Sequence, residues 1–271
     1  MSRLKTVFSK LKGRRCALIP FITGGDPAAS VTVPLMHALV QAGADALEVG
    51  MPFSDPMADG PAIQMGHQRA LAQGVTTRAV LQMVAEFRRD DRTTPVVLMG
   101  YVNPVETMGY DVFARLSSEA GVDGIILVDL PPEEAQAWRT VASGAGLDTI
   151  FLLAPTTTID RVARISAASS GFLYYVALKG VTGAGHLDVA EVEAKIASVR
   201  AVTGLPVGVG FGIRDAESAA RLAQVADAVI VGSAIVERIA QAAGPDEAVR
   251  NAAAFVRSLR SALPTREASP V

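Results

Sequence analysis

Three carboxylates fall close together in the run Leu47-Glu48-Val49-Gly50-Met51-Pro52-Phe53-Ser54-Asp55-Pro56-Met57-Ala58-Asp59-Gly60-Pro61. Glu48 lies in a short apolar stretch that reads as a strand. Side chains alternate along a strand, so Leu47 and Val49 share one face while Ala46 and Glu48 share the other. With the apolar pair against an outer wall, Glu48 points into a barrel beside small residues. Partial desolvation there raises a carboxyl pKa toward the range useful for acid–base work. A satisfied buried ion pair fits the same position, and both readings stand at this point. Asp59-Gly60-Pro61 reads as a turn or a helix entrance, and Asp55-Pro56 as a turn. A chemical role for either rests on its sharing one strand–loop unit with Glu48, which is how parallel α/β barrels build active sites at the C-terminal ends of their strands.

A second constellation lies nearer the C-terminus. Gly208-Val209-Gly210-Phe211-Gly212-Ile213 ends a seventh strand, and Val231-Gly232-Ser233-Ala234-Ile235 ends an eighth and opens a helix. Barrel phosphate sites frequently sit on these two loops. Glycines admit an anion to backbone N–H groups, Ser233 adds a hydroxyl, and the helix N-terminus adds its positive dipole end. Close strand–helix packing is the plain alternative. Ile213 occupies the third glycine position of G-x-G-x-x-G, so this is not a dinucleotide fingerprint. A third stretch, Lys179-Gly180-Val181-Thr182-Gly183-Ala184-Gly185-His186, reads either as a lid that closes over substrate or as a loose connection. Gly183 there can offer a backbone N–H to phosphate. His37, His67 and His186 lack metal-ligand spacing, and no metal site is expected. Trp138, on a polar helix, is expected to be partly exposed.

These groups need a scaffold. Strand-like runs at 17–22, 46–49, 96–99, 124–128, 149–153, 172–176, 207–209 and 228–231 alternate with helical stretches at 31–42, 77–87, 110–120, 133–142, 159–168, 189–201 and 216–223. Such alternation argues for parallel βαβ units. About eight of them in 271 residues, near the typical length of about 250, favour a closed (β/α)8 TIM barrel in one domain, 1–271. Asp26-Pro27 reads as a helix N-cap with proline at N1, Gly43 as a helix C′ glycine, and Asp215 as an N-cap. The basic segment 1–15 places Leu4, Val7, Phe8 and Leu11 at helical spacing, which suits an amphipathic helix plugging the barrel floor better than a transit peptide. Residues 264–271 are expected to fray.

Composition narrows the class. Half the residues are hydrophobic, 19% are charged, and the net charge is −2. Nothing supplies the basic face that nucleic-acid binding needs. No apolar run has the roughly 18 residues of a membrane span. A single cysteine, Cys16, rules out an intramolecular disulfide and suits a reducing cytoplasm.

Several blocks together resemble one family. They are Pro20-Phe21-Ile22-Thr23-Gly24-Gly25-Asp26-Pro27, the Glu48–Pro61 run, Tyr101-Val102-Asn103-Pro104, Asp129-Leu130-Pro131, Tyr174, Gly180-Val181-Thr182-Gly183, Gly210-Phe211-Gly212-Ile213 and Gly232-Ser233-Ala234-Ile235, in that order. Spanning nearly the whole chain, they are similar to those of tryptophan synthase α chains. The resemblance implies a lyase that cleaves indole-3-glycerol phosphate to indole and glyceraldehyde 3-phosphate, with Glu48 as general acid–base and Asp59 as its carboxylate partner at the indole nitrogen. It places Phe21, Met99, Tyr174, Thr182 and Phe211 around the substrate and Gly183, Gly212, Gly232 and Ser233 on its phosphate. Met51 and Met57 stand where aliphatic residues are expected, a mild exchange of apolar volume. No role follows for Lys179 or His186. No cofactor is implied in this chain; pyridoxal phosphate belongs to a β chain, met in an α2β2 complex across the face carrying Asp55-Pro56, Asn103-Pro104 and Asp129-Leu130-Pro131. The alternatives are a regulatory subunit that binds a phosphate ligand without chemistry, and another phosphate-binding barrel enzyme.

Overall fold

The apolar runs form nine parallel strand segments among the described residues, which are 2–176, 189–210 and 212–265 of a computed structural model. They are β1 (Ala17–Thr23), β2 (Leu47–Gly50), β3 (Val96–Gly100), β4 (Gly124–Leu127), β5 (Asp148–Thr149), β6 (Leu152–Leu153), β7 (Leu173–Val176), β8 (Val207–Gly210) and β9 (Ala228–Val231). Their order is β5-β4-β3-β2-β1-β9-β8-β7-β6. The expected fifth strand, 149–153, is split into β5 and β6 at Ile150-Phe151. The two halves still act as one stave. Ile150 N–H donates to Ile125 O at 3.0 Å on the β4 side, and Tyr174 N–H donates to Phe151 O at 3.1 Å on the β7 side. Eight staves therefore close a TIM barrel, as expected.

Twelve helices are seen among the described residues: α1 (Arg3–Leu11), α2 (Ala29–Gln41), α3 (Pro61–Ala72), α4 (Thr77–Asp90), α5 (Val102–Met108), α6 (Tyr110–Ala120), α7 (Gln136–Gly144), α8 (Ile159–Ala168), α9 (Val189–Arg200), α10 (Ala216–Val225), α11 (Ser233–Ala240) and α12 (Pro245–Ala262). Alternation along the strands sorts two apolar layers. Leu47, Val49, Leu98, Ile125 and Val229 pack outward against the helices. Ala17, Ile19, Ala46, Val97, Ile126, Phe172 and Ala228 fill the interior. Leu4 and Phe8 of α1 join this interior cluster, and the Phe8 ring lies 5.6 Å from that of Phe172. The N-terminal helix thus stoppers the barrel from below with its apolar face.

The same floor carries a repeated polar device. Asp45, Asp123 and Asp227, each just before a strand, accept the N–H of Leu18, Val96 and Val207 on the neighbouring strand, all at 2.9 Å. Each carboxylate also meets arginine: Arg15 and Arg260 at Asp45, Arg3 and Arg88 at Asp123, and Arg200 at Asp227. Charge-assisted bonds of this kind fix strand register away from the catalytic end.

Two sequence expectations change. Asp26 does not cap α2, which starts at Ala29 after Ala28. It is fully buried and holds Arg69 of α3 in two hydrogen bonds, 2.7 and 2.8 Å. Trp138 is buried, not partly exposed, because its ring fills the seam between α6 and α7 against Tyr110 and Phe113, 5.8 Å from each. Past α12, Thr265 bridges to Arg15; the rest of the tail that is expected to fray, 266–271, lies outside the described residues. Gly43 and Asp215 take the capping roles read for them.

Truncating the stopper tests its separation from the opposite end. Phe8→Ala is expected to cost about 3–5 kcal/mol of unfolding free energy in a denaturant titration, while kcat stays within about twofold of wild type at a temperature where the variant is folded.

Candidate active site

The geometry starts with strand register. Glu48 of β2 is the direct neighbour of Phe21 on β1 and of Val97 on β3, while Gly50 is the neighbour of Met99. Alternation sends the Glu48 carboxyl inward, above the Ala46 side of the strand, where it is 1% exposed. Among the described residues neither carboxylate oxygen has a hydrogen-bond partner, and no arginine or lysine there pairs with it, so nothing described supports the ion-pair alternative. Burial, reinforced by the negative charge of nearby Asp59, raises the Glu48 pKa from 4.5 to about 8.

Asp59 reaches the same space from the β2–α3 loop. Gly60 precedes α3 in an extended conformation and Pro61 opens the helix, so Asp59-Gly60-Pro61 is a helix entrance. Burial raises the Asp59 pKa to about 6, and the Tyr101 hydroxyl, donating to Asp59 Oδ2 at 2.9 Å, opposes the rise. The Tyr101 oxygen in turn accepts the Ala58 N–H at 3.1 Å, and its ring stacks 5.0 Å from Phe53. His67 of α3, 1% exposed, brings Nε2 to 3.5 Å from the same Asp59 Oδ2. Burial lowers the His67 pKa to about 4, so it is neutral beside Asp59.

Tyr174 of β7 points inward from the opposite wall. Desolvation, then the charges of Glu48 and Asp59, keep its phenol protonated well above the ordinary range. Glycines make the space for these rings. A methyl at Gly210 would overlap the Tyr174 hydroxyl, and one at Gly50 would stand 2.7 Å from Phe21 Cζ. Phe21 is buried and Met99 is half-buried within the interior cluster.

The two glycine loops meet at the barrel mouth. Gly210 and Ile230 are register partners, so Gly212 and Gly232 each stand two residues beyond a matched pair of the two strands. Gly212 has a φ of 37°, a value that favours glycine. Ser233 is exposed at the first position of α11, where the opening N–H groups lack helix acceptors. A methyl at Gly232 would lie 3.5 Å from Phe21 Cβ and from Ile63 Cδ1 of α3. The glycine-loop end and the carboxyl pair thus share Phe21 as a wall. Thr182, Gly183 and Phe211, with Lys179 and His186, lie outside the described residues. Among the described residues no group of three or more His, Cys, Asp or Glu is arranged to hold a metal ion.

Tyr101 and His67 escaped the sequence reading as site residues. Tyr101 is 42 positions from Asp59, and only its place at the end of β3 hinted at it. His67 falls on the inward face of α3 with Gly66 and Ala70, a periodicity that a helix beginning at Pro61 would have revealed.

The arrangement holds a neutral carboxylic acid and an ionised carboxylate side by side at neutral pH. It has a price in stability, and its sign is defined. The folded pKa of Glu48, about 8, exceeds its unfolded 4.5. Stability is full below the unfolded value and declines as pH rises toward the folded one. Glu48→Gln abolishes that titration. Its stability relative to wild type is expected to grow by up to ~1.4 kcal/mol per pH unit from about pH 5 to about pH 8, read from chemical denaturation at each pH. A pH-independent difference would show that Glu48 is not desolvated.

The chain is similar to known proteins along nearly its whole length. The family model described as tryptophan synthase alpha chain matches residues 8–264. The tryptophan synthase alpha chain of Azoarcus sp. (strain BH72) is 57% identical over 266 residues, covering 98% of both chains, and that of Burkholderia thailandensis is 55% identical over 264 residues, 97% of both. The crystal structure of tryptophan synthase subunit alpha from Legionella pneumophila str. Paris superposes with a TM-score of 0.90 at 45% identity, covering 97% of this chain and 98% of that one. A structure of Mycobacterium tuberculosis tryptophan synthase gives 0.88 at 39%, with 97% and 98% covered. With a TIM barrel, an inward glutamate on the second strand and matching relatives along nearly its whole length, this chain belongs to the tryptophan synthase alpha chain family.

Proposed function

We propose that Glu48 and Asp59 carry the chemistry of the α reaction in this chain. The α chain of tryptophan synthase is a lyase of tryptophan biosynthesis. It cleaves indole-3-glycerol phosphate to indole and glyceraldehyde 3-phosphate and needs no cofactor of its own, since pyridoxal phosphate belongs to the β chain with which it assembles.

The observation that carries the assignment is the split between two neighbouring carboxyls, about 8 for Glu48 and about 6 for Asp59. Between those values Glu48 is an acid and Asp59 an anion, the division of labour that the reaction needs. Glu48 protonates indole C3 and leaves a cationic ring, with the charge shared by the ring nitrogen. Asp59 accepts the ring N–H and stabilises that charge, an interaction stronger in the transition state than in the bound substrate. The Glu48 carboxylate then takes the proton of the glycerol hydroxyl next to the ring. The C–C bond breaks, its electrons return to the ring, and the carbon bearing the hydroxyl becomes the aldehyde. Glu48 ends protonated, ready for the next turnover.

Phe21, Met99, Tyr174 and Phe211 would enclose the indole, with Thr182 beside it. The phosphate would lie on Gly212, Gly232, Ser233 and the Gly183 backbone. A purely regulatory subunit would have no use for a buried, partnerless Glu48. The exposed residues around the mouth, Asp55, Asn103 and the 84%-exposed Met57, suit the face that docks the β chain and passes indole to it. No helix among the described residues is long and apolar enough to cross a membrane, and the single cysteine, Cys16, buried and with no second cysteine to pair with, supports action in the cytoplasm.

Glu48→Gln is expected to lower indole release by at least about 10²–10⁴-fold while glycerol phosphate still binds. For wild type, the alkaline limb of kcat/KM should fall near the Glu48 value of about 8; the acid limb also contains the substrate phosphate, with its second pKa near ~6. Activity of the variant within a few-fold of wild type, or a rate flat to pH 10, would remove Glu48 from the mechanism. Ser233→Asp places a carboxylate toward the phosphate and is expected to raise KM with little change in kcat. Unchanged KM and unchanged glycerol phosphate affinity would put the phosphate elsewhere.

A further inference from the structure

We infer that His67 is a positioning residue for the α reaction: its Nε2, 3.5 Å from Asp59 Oδ2, brings a second N–H to the oxygen that the Tyr101 hydroxyl holds, so that Oδ1 is the one left for the substrate's ring N–H. The inference rests on the assignment of Asp59 to the indole nitrogen.

Hydrogen bonding fixes which ring nitrogen carries the proton. The Phe53 backbone N–H donates to His67 Nδ1 at 2.9 Å. A nitrogen that accepts cannot also carry a proton, so in the neutral ring the proton sits on Nε2. Nε2 is buried and has no hydrogen-bond partner, and it stands 3.5 Å from Asp59 Oδ2. A buried donor without an acceptor is unfavourable in a folded chain. Here the nearest carboxylate is the one that must stay ionised. Catalytic hydrogen bonds are often long before substrate is engaged and tighten in the Michaelis complex. A slight advance of Asp59 would satisfy Nε2–H and complete the pair of donors on Oδ2.

The same ring ties together the parts that must move as one. Phe53 and Asp59 lie on the β2–α3 loop, and His67 lies two turns into α3. Through Nδ1 the imidazole holds the start of the loop, and through Nε2 it faces the end. Among the described residues four polar groups face the Asp59 carboxyl. Glu48 comes from β2, and the Asp59 charge raises its pKa. Tyr101, between β3 and α5, donates to it, and His67 of α3 brings Nε2 to 3.5 Å. Tyr174 of β7 feels its charge from across the barrel. Of these, Tyr101 and His67 are the ones that present a donor to the carboxylate. Asp59 needs such help because burial alone raises its pKa.

His67→Phe keeps the ring volume and deletes both nitrogens, whereas His67→Gln returns an amide N–H at the reach of Nε2. Indole release by the α–β complex and the ¹³C-carboxyl titration of Asp59 are measured for both. For the phenylalanine variant kcat is expected to fall about ten- to hundredfold, the worth of one hydrogen bond to a charged group, with KM within about threefold and the Asp59 titration moved to higher pH. The glutamine variant should recover most of both. Wild-type kcat and an unmoved Asp59 titration in His67→Phe would overturn the inference, as would equal damage in both variants. Should His67→Phe fail to fold, ¹⁵N spectra of histidine-labelled wild type decide: a neutral ring at pH 6 with its proton on Nε2 supports the role, and a proton on Nδ1 refutes it. Asp59→Asn is run alongside. Full activity there would defeat the assignment of Asp59 itself, whatever His67 does.

Discussion

A carboxyl group buried without a hydrogen-bond partner is the constraint on which the site depends. Among the described residues Glu48 on β2 has both oxygens unpaired, and a charged form there would be costly. The protein resolves this by holding it protonated, the state that the proposed general acid needs. The neighbouring Asp59 differs in one respect that matters, because it has donors. Tyr101 bonds it and His67 faces it, so its pKa lies below that of Glu48. Two chemically similar side chains thus acquire different pKa values through unequal hydrogen bonding in one desolvated space.

The barrel keeps that unfavourable arrangement affordable by separating its two ends. At the floor, Asp45, Asp123 and Asp227 are fully engaged with neighbouring strand N–H groups and with arginines, and α1 closes the interior with Leu4 and Phe8. At the mouth, polar groups are left unpaired, glycines replace side chains, and rings from β1 and β7 lean into the vacated space. The engaged Asp45, Asp123 and Asp227 at the floor and the unpaired Glu48 nearer the mouth put the same chemical group to opposite uses. Buried Asp26 belongs with the satisfied set, although it lies near the mouth: its two bonds to Arg69 anchor α3, the helix that carries His67 and begins just after Asp59.

Much of this was legible in the sequence. Period-two alternation placed Glu48 inward before any coordinates, and the strand runs matched to within a residue or two, since β-branched clusters bounded by glycine and aspartate leave little freedom. Asp59-Gly60-Pro61 read correctly as a helix entrance. What escaped depends on contacts between distant segments. Tyr101 and His67 become site residues only once β3 and α3 are packed around the β2 loop. Trp138 was misjudged because the polarity of its helix says nothing of the seam between α6 and α7 that its ring fills. Asp26-Pro27 carries a capping pattern, but the pull of Arg69, 43 residues away, overrides it. The break in the fifth stave has no sequence signal that we can identify.

The central claim is that Glu48 is a neutral acid at physiological pH while Asp59 is an anion. The most direct measurement is a ¹³C-carboxyl titration of the folded chain, with glutamate and aspartate labelled and Glu48→Gln and Asp59→Asn used to assign the two signals. The account predicts that Asp59 titrates first, with an apparent midpoint near 6, and that Glu48 follows near 8, the two values belonging to a coupled pair. A Glu48 signal that is fully ionised by pH 6 would contradict it.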